Sequence, residues 1–158
     1  MYFSTTTISL LVASLASTVS AHGHLVNPAA LKNTTPLQDI RIPVNGCGTG
    51  VVTTGPVQAT FKAGSTANAI WSVTNGDGAG PLSVKFDTSG AGTNFNTVAQ
   101  ITTNLDGQNG GVPNSFPRGD HTIVFKVPNT KCARCVMQVR QAITGNNGFG
   151  SCAVVSIQ

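Results

Sequence analysis

Six residues, Leu82-Ser83-Val84-Lys85-Phe86-Asp87, set the pattern for most of this chain: apolar and polar side chains alternate, and the stretch then ends in turn residues. A period of two places Leu82, Val84 and Phe86 on one face of a strand and the polar residues on the other. Similar short stretches recur at 58–62, 67–74, 97–103, 121–127, 135–141 and 152–157, and no segment holds a 3.6-residue period. With the N-terminal segment this predicts about eight short strands. The connections fit. Asn75-Gly76-Asp77-Gly78 supplies residues that tolerate positive φ between two strand candidates, and the Gly- and Asn-rich stretches 89–96 and 104–114 read as surface loops. No repeat period suggests a solenoid or propeller. The expected fold is all-β, an antiparallel β-sandwich of immunoglobulin or fibronectin type, with Trp71, Phe86 and Phe125 filling the space between its sheets.

The N-terminus reads differently. Residues 7–16 (TISLLVASLA) are apolar, and Val19-Ser20-Ala21 offers the small residues of a signal-peptidase site, so residues 1–21 are expected to be a signal peptide and 22–158 one secreted, extracellular, monomeric domain. The apolar run falls short of the roughly 20 residues needed to span a bilayer, so no membrane anchor is expected after cleavage. In an exported chain, Cys47, Cys132, Cys135 and Cys152 read as two disulfides, with three connectivities open. Cys132-Ala-Arg-Cys135 has no second CxxC to complete a zinc site. Asn33-Thr34-Thr35 is a glycosylation sequon.

Cleavage after Ala21 exposes His22-Gly23-His24. An α-amine with a reference pKa of about 8 releases its proton to a metal near neutral pH, and it shares a residue with the His22 ring. Nitrogen ligands in a flat arrangement suit Cu(II). Two arrangements are open. The amine and ring of His22 with one distant histidine leave a coordination position free, whereas the amine, two deprotonated backbone amides and the His24 ring close around the ion.

Other chemistries find little support. The nine Lys and Arg outnumber five Asp, with no Glu, but the positive residues form no run, which argues against nucleic acid and allows only a weak attraction to acidic wall polymers. Asp39, Asp77, Asp87, Asp106 and Asp120 mostly occupy turn or strand-end positions, a poor source of a glycosidase carboxylate pair. No nucleophile elbow occurs, and the glycines of "GCGTG" are not followed by the Lys-Ser/Thr of a phosphate loop. The only Tyr is Tyr2 and the only Trp is Trp71, too few for a flat aromatic platform on sugars.

Residues 131–157 (KCARCVMQVRQAITGNNGFGSCAVVSI) resemble the C-terminal strands of lytic polysaccharide monooxygenases, and "HGHLVNP" resembles their mature N-terminus. The central "WSVTNGDGAGPLSVKFDTSGAGTNF", with Gly46-Cys47-Gly48, is similar to the appressorial virulence-factor-like fungal proteins, which also begin with histidine. The resemblance implies a copper protein acting on cell-wall polysaccharide, chitin or glucan, with His22 as the N-terminal ligand and Phe149 at the axial aromatic position. Those monooxygenases place a second histidine mid-chain. Here the corresponding stretch, 75–86, has none, and His24 and His121 are the remaining candidates.

Overall fold

The computed structural model describes residues 23–31, 41–48, 51–75, 78–106, 116–141 and 147–158. His22, Asn33 and the expected signal peptide lie outside them. Nine strands form among the described residues: β1 (Gly23–Asn27), β2 (Arg41–Pro43), β3 (Ala59–Phe61), β4 (Thr66–Val73), β5 (Leu82–Asp87), β6 (Thr97–Thr103), β7 (Gly119–Lys126), β8 (Cys132–Gln141) and β9 (Asn147–Ile157). The hydrogen-bonded order is β1-β4-β7-β6-β5-β8-β9-β2, antiparallel throughout, with β3 added parallel to the far end of β9.

A change of partner along β6 folds this path into a sandwich. Its first residues, Thr97 to Ala99, pair with β5, while Gln100 to Thr103 pair with β7 across a register irregularity. One layer is therefore β1, β4, β7 and the end of β6; the other is the start of β6 with β5, β8 and β9. The opposite side is drawn together where the Leu25 N–H of β1 donates to the Ser151 hydroxyl of β9 at 3.1 Å.

Alternation fills the space between the layers. Leu25, Ala69, Trp71, Val73, Val84, Phe86, Ile123, Phe125, Met137, Val139, Ala153 and Val155 are all buried there. Trp71, Phe86 and Phe125 are each fully buried, as their positions in the sequence led one to expect. Phe125 meets Phe61 edge-on, with ring centroids 5.7 Å apart, a favoured aromatic geometry.

Behind β8 and β9 lies a second, smaller core of Cys47, Phe95, Val136 and Cys152. It is covered by residues 41–48. Gly148 and Gly150 make room for this cover: a Cβ on Gly148 would come 2.7 Å from the Arg140 guanidinium carbon, and one on Gly150 would collide with Ile42. The Gln138 amide donates to the carbonyls of Pro43, Val44 and Gly46, and Arg140 Nε donates to Ile42. A Cys47–Cys152 disulfide fastens the cover to β9, and Cys132–Cys135 closes the start of β8.

Candidate functional site

Several functional candidates meet at one end of the sandwich. Gly23 opens β1 opposite Val73, and a Cβ on Gly23 would lie 2.7 Å from Trp71 Cε2, so only glycine lets the strand settle onto the indole. The indole N–H donates to the Gly78 carbonyl at 2.8 Å, and Gly78 N–H returns to Asn75, closing the turn expected after β4. Gln141, buried at the end of β8, reaches the Gly80 carbonyl. Phe149 lies at this end of β9, nearly buried, with the Arg41 guanidinium 5.6 Å from its ring centroid. The chain entering at position 23 and the aromatic ring at 149 thus share one end.

His24 and His121 are not brought together. His24 pairs with Ser72, and Ser72 with Asp120, so these three share the outer face of the first layer. His121 pairs with Trp71 and points to the inner side. The two rings therefore lie on opposite faces with β4 between their strands. His121 is occupied locally: its Nε2 lies 2.8 Å from the Pro117 carbonyl and its ring packs 5.1 Å from that of Phe116. His24 is half-buried, and its Nδ1 is buried without a hydrogen-bond partner. Burial pushes its pKa below the ordinary histidine range, against a smaller opposing pull from Asp120. A neutral imidazole is the form that binds a metal. Among the described residues no group of three or more His, Cys, Asp or Glu is arranged to hold one.

A cavity of about 640 Å³ opens beside the cover, lined among the described residues by Arg41, the Gly46-Cys47-Gly48 turn, Thr53 and the loop at Ala91 to Thr93. Asp87 shapes that loop. One carboxylate oxygen accepts from Ser89 N–H at 2.9 Å and Ser89 Oγ at 2.6 Å, the other from the Thr93 and Asn94 N–H groups at 2.9 and 3.1 Å. Burial alone would raise the Asp87 pKa, but these bonds outweigh it and hold the carboxyl below its usual range. The stability it contributes is present above the unfolded carboxyl pKa and is lost as pH falls through the depressed folded value. Asp87→Asn is expected to cost about 2 to 3 kcal/mol at neutral pH, because an amide nitrogen then faces backbone donors. Denaturant unfolding at pH 7 and pH 3 checks this: the gap between parent and variant should narrow in acid.

A family model described as Egh16-like virulence factor matches residues 51–148, more than half of the chain. The chain belongs to the Egh16-like virulence factor family. No curated protein matches it in sequence. Solved structures that share the fold of this Egh16-like chain include two polysaccharide monooxygenases. The lytic polysaccharide monooxygenase AA15 from Thermobia domestica in its Cu(I) state superposes with a TM-score of 0.58 at 13% identity, over 86% of this chain and 98% of that one. A polysaccharide monooxygenase CBM33, described for its X-ray photoreduction, gives 0.53 at 17% identity, over 87% and 100%. At these identities the likeness is one of fold, and it agrees with the resemblance carried by the two ends of the Egh16-like sequence.

Proposed function

We propose that this Egh16-like chain is a secreted, monomeric copper-binding protein acting on cell-wall or other extracellular polysaccharide, with the His22 amine, the His22 ring and the His24 ring as its nitrogen donors. The single observation that carries the reading is the buried His24 Nδ1, a neutral donor without a partner, two residues from the expected mature terminus. Two disulfides fit an oxidising compartment. Copper bound there would supply one-electron and oxygen chemistry, the basis of oxidative glycan cleavage.

The strand itself argues against the closed, four-nitrogen arrangement. Leu25 N–H points away from β4, toward Ser151, so by alternation the His24 N–H points into the ladder with β4. Deprotonating that amide for a metal would break the pairing that holds β1. An arrangement using side chains and the terminal amine keeps the strand intact and leaves a coordination position open. His121, on the other face and bonded to Pro117, takes no part.

Electron paramagnetic resonance of Cu(II) titrated into protein with a sequenced N-terminus tests this. Nitrogen coordination is expected to fall by one nitrogen, with weaker binding, in His22→Ala and in His24→Ala alike, since the amine survives both, and to be unchanged in His121→Ala. Dependence on His121, or no bound copper, would sink the proposal. Oxidised sugar ends formed from chitin or glucan only with a reductant, and abolished by His22→Ala, would establish the catalytic half.

A further inference from the structure

We infer that Asp120 supplies a carboxylate oxygen to the proposed metal end, beside the His24 ring, and that this oxygen makes the site select Cu(II) over Cu(I). The inference rests on the copper reading above and adds to it a donor from β7, two strands away from β1.

The sheet register carries it. His24 lies directly opposite Ser72 of β4, and Ser72 directly opposite Asp120 of β7, so the three side chains stand in one row across the outer face. Two strand spacings put the His24 and Asp120 backbones about 9.5 Å apart, a gap short enough for an imidazole and a carboxylate to share one ion. Ser72, between them, carries only a hydroxymethyl group and does not fill the gap. Asp120 is exposed and, among the described residues, makes no hydrogen bond or ion pair, Arg118 two positions earlier included. At the other end of the row, His24 Nδ1 is buried without a partner. Burial is the main influence on the His24 ring and Asp120 the opposing one, so the field of the carboxylate reaches the imidazole.

Donor chemistry supplies the selectivity. Three nitrogens from His22 and His24 leave one place in the flat four-donor arrangement that suits Cu(II). A carboxylate in that place is a hard donor, and its charge offsets one of the two charges of Cu(II). Cu(I), softer and singly charged, gains less from it. The donors at 24 and 120 stand on paired strands rather than loops, which fixes their spacing before any ion arrives. They are two donors, with His22 completing the set, in keeping with the lack of any three-residue group among the described residues.

The test is competition for Cu(II) and for Cu(I) against chelators of known affinity, with electron paramagnetic resonance of the Cu(II) form, on the whole mature protein and its variants. Asp120→Asn is expected to weaken Cu(II) binding about tenfold or more, to leave Cu(I) binding within about twofold, and to keep the parent's nitrogen count. Asp120→Glu, which returns the carboxylate, should recover most of the affinity. Ser72→Leu, which keeps the charge but fills the gap, should weaken Cu(II) binding severalfold, with thermal unfolding of each metal-free variant reporting its fold. Unchanged Cu(II) affinity in Asp120→Asn, an equal loss for both oxidation states, or a lost nitrogen overturns the inference. A parent that holds copper through nitrogen, with Asp120→Asn no different, leaves the copper reading standing without Asp120; a parent that takes up no copper removes both.

Discussion

Replacing Cys47 and Cys152 together by alanine is expected to lower the unfolding free energy by about 4 to 5 kcal/mol, more than any other change to the covalent framework. The bond joins positions 105 apart, so it removes a large loop from the unfolded ensemble. Cys132 and Cys135 are three apart, and the same chain-entropy relation assigns them only about 1.5 to 2 kcal/mol. Without its cross-link the cover is still held to β8 and β9 by hydrogen bonds to Gln138 and Arg140, by the β2–β9 pairing and by the packing of Ile42 and Arg41. Guanidinium unfolding of the two double variants decides the matter. A larger loss for Cys132/Cys135 would mean that packing around Cys135, fully buried in the main core, outweighs loop closure.

The strands legible in the sequence are those with one wet face. Leu82–Asp87 and Thr97–Thr103 have the bounds expected from alternation: Leu82, Val84, Phe86, Ala99 and Ile101 meet the core, and most polar side chains meet solvent or loops, although Val98 stands exposed among them. β2 was not legible. Arg41-Ile42-Pro43 is too short to show a period, and it pairs with β9 because Gly148 and Gly150 leave room for Arg140 and Ile42, a relation between distant residues. In β8 the alternating "VMQVRQ" suggests a solvated polar face, yet Gln138 is fully buried and Arg140 nearly so. Three carbonyls of the cover accept the Gln138 amide, and they come from residues more than ninety positions earlier.

The candidate site divides in the same way. A terminal His-Gly-His and its chemistry can be read from local order, since chelation needs only neighbouring groups. Which face each histidine occupies needs the register of β1, β4 and β7, and that register separates His24 from His121. The cavity is less legible still. Arg41 and Gly46, then Thr53, then Gly92 come from three separate stretches, and the glycines and the threonine read locally as ordinary loop residues. The recurring Asp87 contacts had a signal in "DTSGAGTN", an acid followed by donors, but the same pattern serves any turn.

Trp71 ties the core to the chain end that carries the proposed ligands, and Trp71→Ala is expected to cost about 4 kcal/mol, near the middle of the range for large aromatic truncations. The indole is fully buried, supports Gly23 at the start of β1, and donates to Gly78 in the turn after β4. Trp71→Phe separates these roles. It keeps much of the apolar volume but leaves the Gly78 carbonyl without its donor, which should cost about 1 to 3 kcal/mol. If Gly23 is placed by the indole, both variants should speed hydrogen exchange at the His24 amide, which pairs toward β4, before global unfolding. Exchange at Val139, in the far layer, should then follow global stability alone. Uniform acceleration at both positions would make Trp71 a core residue with no special hold on β1, and the proposed metal end would need some other anchor.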